Sequence, residues 1–206
     1  MKLLTCSDIH GSLPALKRLE AVAKKEKPDF LLVAGDMTIF EQDIEQVIEK
    51  LEQMPARVLL VHGNHESEEI VAALVKRGSN ISFLHKRIFE SDIGDWLFTG
   101  YGGGGFALFD KSLERWGEKA AREAESNRKR LIFLSHQPPY GTRLDIVYGR
   151  HVGSKSLTNF IKLHQPALVV SGHIHECFGA RQRLGKSLLV SPGPEGLLVE
   201  FKQKEG

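Results

Sequence analysis

The sequence predicts an α/β protein with two packed β-sheets, the first of which opens as a parallel sheet. Three observations carry this prediction. Short apolar runs alternate with amphipathic stretches from Leu3 onward, the pattern of β-α-β units with right-handed crossovers. Candidate strands outnumber candidate helices, which is more sheet than a single layer requires. Finally, polar and ionisable residues directly follow five of the apolar runs. The carboxyl ends of strands are where open α/β sheets bind ligands.

Each element has its own justification. Leu3-Leu4-Thr5-Cys6 is a short apolar run of strand length. Ser12 is placed to cap a helix with Pro14 in its first turn and Leu16, Leu19, Val22 and Ala23 on one face; Pro28 lies beyond its end. Phe30 to Ala34 is the second strand. Ile44, Val47, Ile48 and Leu51 follow the i, i+3, i+4, i+7 spacing of a helix. Val58 to Val61 is the third strand, and Ser67 caps a short helix carrying Ile70, Val71, Leu74 and Val75. Residues from Ile81 to Tyr101 read as shorter strands joined by turns. A helix beginning near Asp110 turns Leu113, Trp116, Ala120 and Ala124 inward. Leu131 to Leu134 is a buried strand. Leu157, Phe160 and Ile161 mark a helix that ends by Pro166, and Leu168–Val170, Leu188–Val190 and Leu197–Phe201 complete the strands.

Composition narrows the function classes. The chain has 206 residues, 41% hydrophobic and 26% charged, as ordinary globular domains do, and no disordered or collagen-like tract. We expect a single domain over residues 1–206 with no large cap domain. Twenty-eight basic and 26 acidic residues leave a net charge of +2, which gives no footprint for non-specific nucleic-acid binding. No apolar run has the length of a membrane span, and Thr5, Ser7, Asp8 and His10 interrupt the one that begins at Leu3. Two cysteines exclude a disulfide scaffold and suggest free thiols in the cytoplasm.

The residues after the strands are of one chemical kind. Asp8 and His10 follow the first strand, Asp36 the second, and Asn64 and His65 the third. His136 follows Leu131–Leu134, and His173 and His175 follow Leu168–Val170. Carboxylate, imidazole and carboxamide are ligands for divalent ions of intermediate softness. Taken singly, Gly35-Asp36 and Gly63-Asn64 would be turn dipeptides. His173 and His175 would point to opposite faces of a regular strand, so they converge only if the chain turns there, a freedom expected of Gly172.

In order, Asp8-Ile9-His10, Gly35-Asp36, Gly63-Asn64-His65-Glu66, His136 and Gly172-His173-Ile174-His175 resemble the five motifs of the calcineurin-like metallophosphoesterases. The resemblance runs from residue 8 to residue 175. It implies a four-layer α/β/β/α sandwich of two mixed sheets between helices, with a dinuclear site at the strand carboxyl ends. It also implies hydrolysis of phosphate esters, with diesters favoured over monoesters. Carried over by position, Asp8, His10, Asp36 and His175 hold one metal, while Asp36, Asn64, His136 and His173 hold the other. Asp36 would bridge ions roughly 3.5–4 Å apart. Two dications, two aspartates and one hydroxide leave a single positive charge to attract an anionic phosphate, and the hydroxide attacks phosphorus in line. His65 is the implied general acid for the leaving oxygen, with Glu66 orienting it or raising its pKa. Two divalent ions are expected, manganese first, with iron, zinc, nickel or magnesium as alternatives.

Other features carry less. Gly100, Gly102 and Gly105 match G-x-G-x-x-G, but no helix opens directly after them, so a loop is expected rather than a dinucleotide site. Cys6 and Cys177 read as buried thiols, and His62, His85 and His164 lack motif context. Residues 137–153 form a long connection leaving His136, in which Arg143, Arg150 and His151 are candidates for binding substrate phosphate. The expected partner is a small phosphate ester, with no membrane or nucleic acid. The rival functions are a nuclease of the same family and an interaction module on the same fold.

Overall fold

The computed structural model describes residues 1–202. Its strands are β1 (Lys2–Cys6), β2 (Phe30–Ala34), β3 (Arg57–Val61), β4 (Ile81–Phe83), β5 (Ile88–Glu90), β6 (Trp96–Tyr101), β7 (Arg130–Ser135), β8 (Ile146–Val147), β9 (Arg150–His151), β10 (Leu168–Val170), β11 (Arg181–Leu184), β12 (Ser187–Val190) and β13 (Leu197–Glu200). Its helices are α1 (Leu13–Glu26), α2 (Ile44–Glu52), α3 (Glu68–Val75), α4 (Lys111–Ser126) and α5 (Lys155–His164).

The first sheet has the order β13-β1-β2-β3-β4 and the second β11-β12-β10-β7-β6-β5. Strands β1 to β4 are mutually parallel, and β13 adds an antiparallel edge beside β1. In the second sheet β6, β7, β10 and β12 run parallel, with antiparallel β5 and β11 outside them. Both sheets are therefore mixed, as expected. Strands β8 and β9 form a separate hairpin.

Alternation along the central strands builds the layers. Leu31 and Val33 face α1, α2 and α3 in one apolar cluster with Leu16, Leu19, Val47, Leu51 and Val71. Their neighbours Phe30, Leu32 and Ala34 face Phe98, Ile132, Leu134 and Val170 across the gap between sheets. Leu131, Phe133 and Val169 face the other way, against Leu113, Leu157 and Ile161 of α4 and α5. Helices thus cover both outer faces of a double sheet.

Local chemistry sets the helix ends. Ser12, Ser67 and Ser154 each accept a bond from the backbone N–H three residues on, and Asp110 accepts from Ser112 and Leu113. Lys27 ends α1 and Gln165 ends α5 in left-handed backbone, each just ahead of a proline. Three details depart from the sequence pattern. Ile70 is 37% exposed rather than buried. Trp116 is half-buried, its indole N–H donating to Thr99 Oγ1 at 3.1 Å. Strand β11 is mostly polar; its sequence Arg-Gln-Arg-Leu pairs with β12 at a sheet edge, and only Leu184 packs on the apolar cluster beneath α4 and α5.

Phe98 has no exposed surface and packs with Phe30 at a centroid separation of 5.0 Å. Phe98→Ala should cost about 3–5 kcal/mol in denaturant unfolding, whereas Ile70→Ala should cost less than about 1 kcal/mol. Equal losses would contradict a core centred between the sheets.

Candidate metal centre

The predicted ligands meet at one end of the two sheets. Asp8 and His10 follow β1, Asp36 follows β2, Asn64 follows β3, His136 follows β7, and His173 and His175 follow β10. Backbone bonds join these loops: Asp8 N–H donates to Gly35 O at 3.0 Å, His10 N–H to Asp36 O at 3.1 Å, and Gly172 N–H to His136 O at 3.0 Å. Drawing the loops together forces left-handed backbone on Asp8 (φ 53°), His10 (47°), Asp36 (49°) and His173 (72°). Such a conformation costs a non-glycine residue roughly 1–3 kcal/mol and persists only where its surroundings over-determine it.

The turn between His173 and His175 differs from expectation. His173 itself adopts the left-handed conformation, and Gly172 does not. Gly172 is needed for space instead, since a Cβ there would collide with the Asp8 carboxylate. A Cβ on Gly63 would likewise collide with the carboxylate of Asp36.

Donor atoms of Asp8, His10 and His175 all lie within 4.8 Å of one another, as do those of Asp36, His136 and His173. A third trio, His10, Asp36 and His65, links the two. Asn64 Oδ1 lies 3.0 Å from His136 Nε2.

The hydrogen-bond pattern fits divalent cations. His136 Nδ1 donates to the Ala34 carbonyl at 2.8 Å, so in the neutral ring Nε2 carries a lone pair. That nitrogen faces Asn64 Oδ1 at 3.0 Å and Asp36 Oδ2 at 3.3 Å, three acceptors around one point. His10 Nδ1 donates to the Thr38 carbonyl at 3.1 Å, and its bare Nε2 lies 3.2 Å from His175 Nε2. His173 Nε2 is buried and has no partner among the described residues. Lone pairs converge in this way around a cation or a proton, and the donor set is the nitrogen and oxygen mixture that suits manganese, iron or zinc.

Titration behaviour follows from burial and charge. Burial pushes His173 down to about 4, helped by the charge of His136, which keeps its nitrogen free for a metal. Burial also opposes charge on His136, but the Asp36 carboxylate outweighs it and raises the pKa above the ordinary value. Asp36 is pushed up by burial and pulled down further by His136 and His65, ending below its ordinary value.

His65 and Glu66 part company. His65 Nδ1 accepts the Phe40 backbone N–H at 3.3 Å, which leaves the ring proton on Nε2, 3.8 Å from Asp36 Oδ2. Glu66 is buried, and its hydrogen bonds go elsewhere. Its Oε1 accepts from Thr38 N–H at 2.8 Å and Thr38 Oγ1 at 2.9 Å, and its Oε2 accepts from Gly63 N–H at 3.0 Å. The expectation that Glu66 orients His65 is therefore corrected: the carboxylate clamps the loop after β2 to the loop after β3. Burial raises its pKa, while the Gly63 and Thr38 bonds oppose that rise.

The loop residues lie further out. Arg143, Arg150 and His151 are exposed, and none bonds to the histidine–carboxylate cluster among the described residues. His151 Nδ1 lies 2.8 Å from Asp145 Oδ1, and that buried carboxylate also accepts from Gly141, Thr142 and Gly153 N–H groups. The glycine run packs rather than binds: Gly102 N–H donates to His85 Nδ1 at 2.8 Å, Gly103 N–H to His62 O at 2.9 Å, and a Cβ on Gly102 would collide with His62. Cys6 and Cys177 are buried free thiols. Among the described residues no helix is long and apolar enough to cross a membrane.

Two supports of the centre were missed from sequence. The carbonyls of Ala34 and Thr38 orient the His136 and His10 imidazoles, and a backbone carbonyl leaves no residue-type signal.

Comparison with known proteins agrees with this site. A protein of Methanocaldococcus jannaschii, described as uncharacterized, is 33% identical over 99% of this chain and 93% of its own length. The crystal structure of TT1561 of Thermus thermophilus superposes with a TM-score of 0.74 at 21% identity, covering 93% of this chain and 88% of that one. A dimetal phosphatase from Danio rerio superposes with a TM-score of 0.70 at 12% identity, covering 94% and 88%. At these identities the two structures establish the fold. The sequence model of the calcineurin-like phosphoesterases matches residues 1–177, and this places the chain in the calcineurin-like phosphoesterase family.

Proposed function

We propose that this protein hydrolyses phosphate esters, diesters in preference to monoesters, with two divalent cations. Asp8, His10, Asp36 and His175 would hold one cation, and Asp36, Asn64, His136 and His173 the other. The observation that carries this reading is the meeting of His136 Nε2, Asn64 Oδ1 and Asp36 Oδ2 beside the buried, unpartnered His173 Nε2. Bound there, divalent ions neutralise phosphate oxygens and bring the pKa of water toward 7. The single positive charge left by two dications, two aspartates and a hydroxide matches a singly charged diester better than a dianionic monoester. Manganese is the proposed activator and the cytoplasm the proposed compartment, the latter supported by two free thiols.

The chain's own residues supply the rest. As the imidazolium, which gives up the Phe40 N–H bond to Nδ1, His65 would transfer its Nε2 proton to the leaving oxygen and be left neutral. Arg143, Arg150 and His151 are the proposed contacts to the outer part of the substrate. Supporting this, the β8–β9 hairpin, which carries Arg150 and His151, packs on the turn carrying His175, through a bond from Cys177 Sγ to Ile146 O at 3.5 Å. Arg143 also lines a cavity of about 590 Å³ there with Tyr148, Glu176 and Phe178.

Chelation should abolish hydrolysis of bis-p-nitrophenyl phosphate, manganese should restore it, and His136→Ala should stay at background. Asp36→Asn should lose metal from both positions, and two retained ions on elemental analysis would refute the bridging role.

General acid catalysis is worth roughly 10²–10⁴-fold, most of it with a poor leaving group. His65→Gln should therefore keep both metals, lose little on nitrophenyl esters and lose about 10²-fold more on alkyl esters. Glu66→Gln should behave differently, destabilising the fold by about 1–3 kcal/mol while leaving the acid limb of the pH–rate profile in place. Comparable losses by His65→Gln on both ester types would reassign the imidazole to phosphate positioning.

A further inference from the structure

Two large aromatic side chains stand in solvent beside the centre. Phe40 is 75% exposed and Phe106 is 65% exposed. They come from separate loops, one after β2 and the other after β6. Phe40 packs on the His65 imidazole with centroids 4.5 Å apart, and Phe106 packs on the His173 imidazole at 4.8 Å. The imidazoles continue inward, His65 meeting His10 at 5.1 Å and His173 meeting His136 at 5.1 Å. Isolated surface apolar residues need no explanation, but two rings on one polar site do.

Their placement is built. Phe40 has left-handed backbone (φ 48°), and the same peptide donates its N–H to His65 Nδ1. The next residue, Glu41, also left-handed, accepts the Ser67 N–H at 2.7 Å and ties the loop to α3. Phe106 follows the glycine run anchored on His62 and His85, and Gln137, next to ligand His136, donates to the Ala107 carbonyl at 3.0 Å. No cation–ring contact involves Phe40 or Phe106 among the described residues. Their exposure leaves both rings open to solvent on the side away from the imidazoles.

We propose that Phe40 and Phe106 form an aromatic rim that selects esters bearing a flat apolar or aromatic group on the alcohol, by stacking that group beside the reacting phosphate. This deepens the phosphoesterase reading and rests on it. The rim position follows from the role of His65: the group that protonates the leaving oxygen marks the side on which the leaving alcohol departs, and Phe40 lies against that group. A planar substituent on the alcohol meets a ring there, and stacking on aromatic side chains tolerates many ring types. Compact polyanions would gain nothing from either ring.

The test uses esters of near-equal leaving-group basicity that differ in a remote ring: 3-phenylpropyl phosphate and propyl phosphate, each as the monoester and as the methyl diester, with manganese-loaded protein. The wild type should favour the ring-bearing ester about tenfold in kcat/KM, chiefly through KM. Phe40→Ala and Phe106→Ala should each remove most of that preference, and Phe40→Tyr should keep it. Both rings are exposed, so neither truncation opens the core. No preference in the wild type, or an unchanged ratio in both variants, overturns the rim. Calorimetry with 3-phenylpropylphosphonate and propylphosphonate separates the two readings. Ring-dependent binding that both alanine variants lose, without turnover of any ester, keeps the rim and removes the phosphoesterase. Binding without ring dependence removes the rim whatever the turnover. A wild-type dimer that both variants convert to monomer would assign the rings to a contact between copies and also overturn it.

Discussion

The hydrogen bond from His136 Nδ1 to the Ala34 carbonyl joins the two sheets at the end where the site lies. His136 belongs to the second sheet and Ala34 to the first. The bond holds the stacking of the sheets at that end, and it fixes the tautomer that aims Nε2 at Asp36 and Asn64. A second tie runs the same way, with the His173 N–H donating to the Asp8 carboxylate at 3.0 Å. Neither half of the centre exists within one sheet. The apolar layer of Leu32, Leu59, Phe98, Ile132 and Val170 between the sheets is thus also the spacer that sets the ligand geometry.

The candidate centre stores backbone strain that the rest of the fold offsets. Four of its positions, Asp8, His10, Asp36 and His173, have left-handed backbone. Functional sites are where such costs gather, and they persist because the surroundings over-determine them. The buried Glu66 does this for two loops, converting Thr38 and Gly63 N–H groups into one clamp beneath Asp36 and Asn64.

Much of the fold was legible because apolar runs and caps are local signals. Leu31 and Val33 alternate with Leu32 and Ala34, and Ser12 and Ser67 cap helices where the pattern starts. The candidate site positions were legible because each follows such a run directly. What could not be read depends on contacts distant in sequence. Strand β11 is polar and recognisable only by its partner β12. Glu66 adjoins His65 in sequence yet bonds Thr38, on the loop after β2. Gly172 looked like a hinge, but its small size serves Asp8, which lies far away in sequence and next to it in space.

Pairing of β1 with β13 also bears on how the chain assembles. Thr5 Oγ1 donates to Leu197 O at 2.9 Å across a separation of 192 residues, so the edge of the strand leading to Asp8 is closed by a segment synthesised long after it. Every ligand, through His175, precedes that cover in the order of synthesis. Until it arrives, β1 presents an open, apolar edge, the feature through which strands pair with foreign chains. Long-range closure of this kind is also slow, because its loop entropy is lost before its contacts form. The first strand is therefore both the foundation of the candidate site and a segment long exposed to aggregation during biosynthesis.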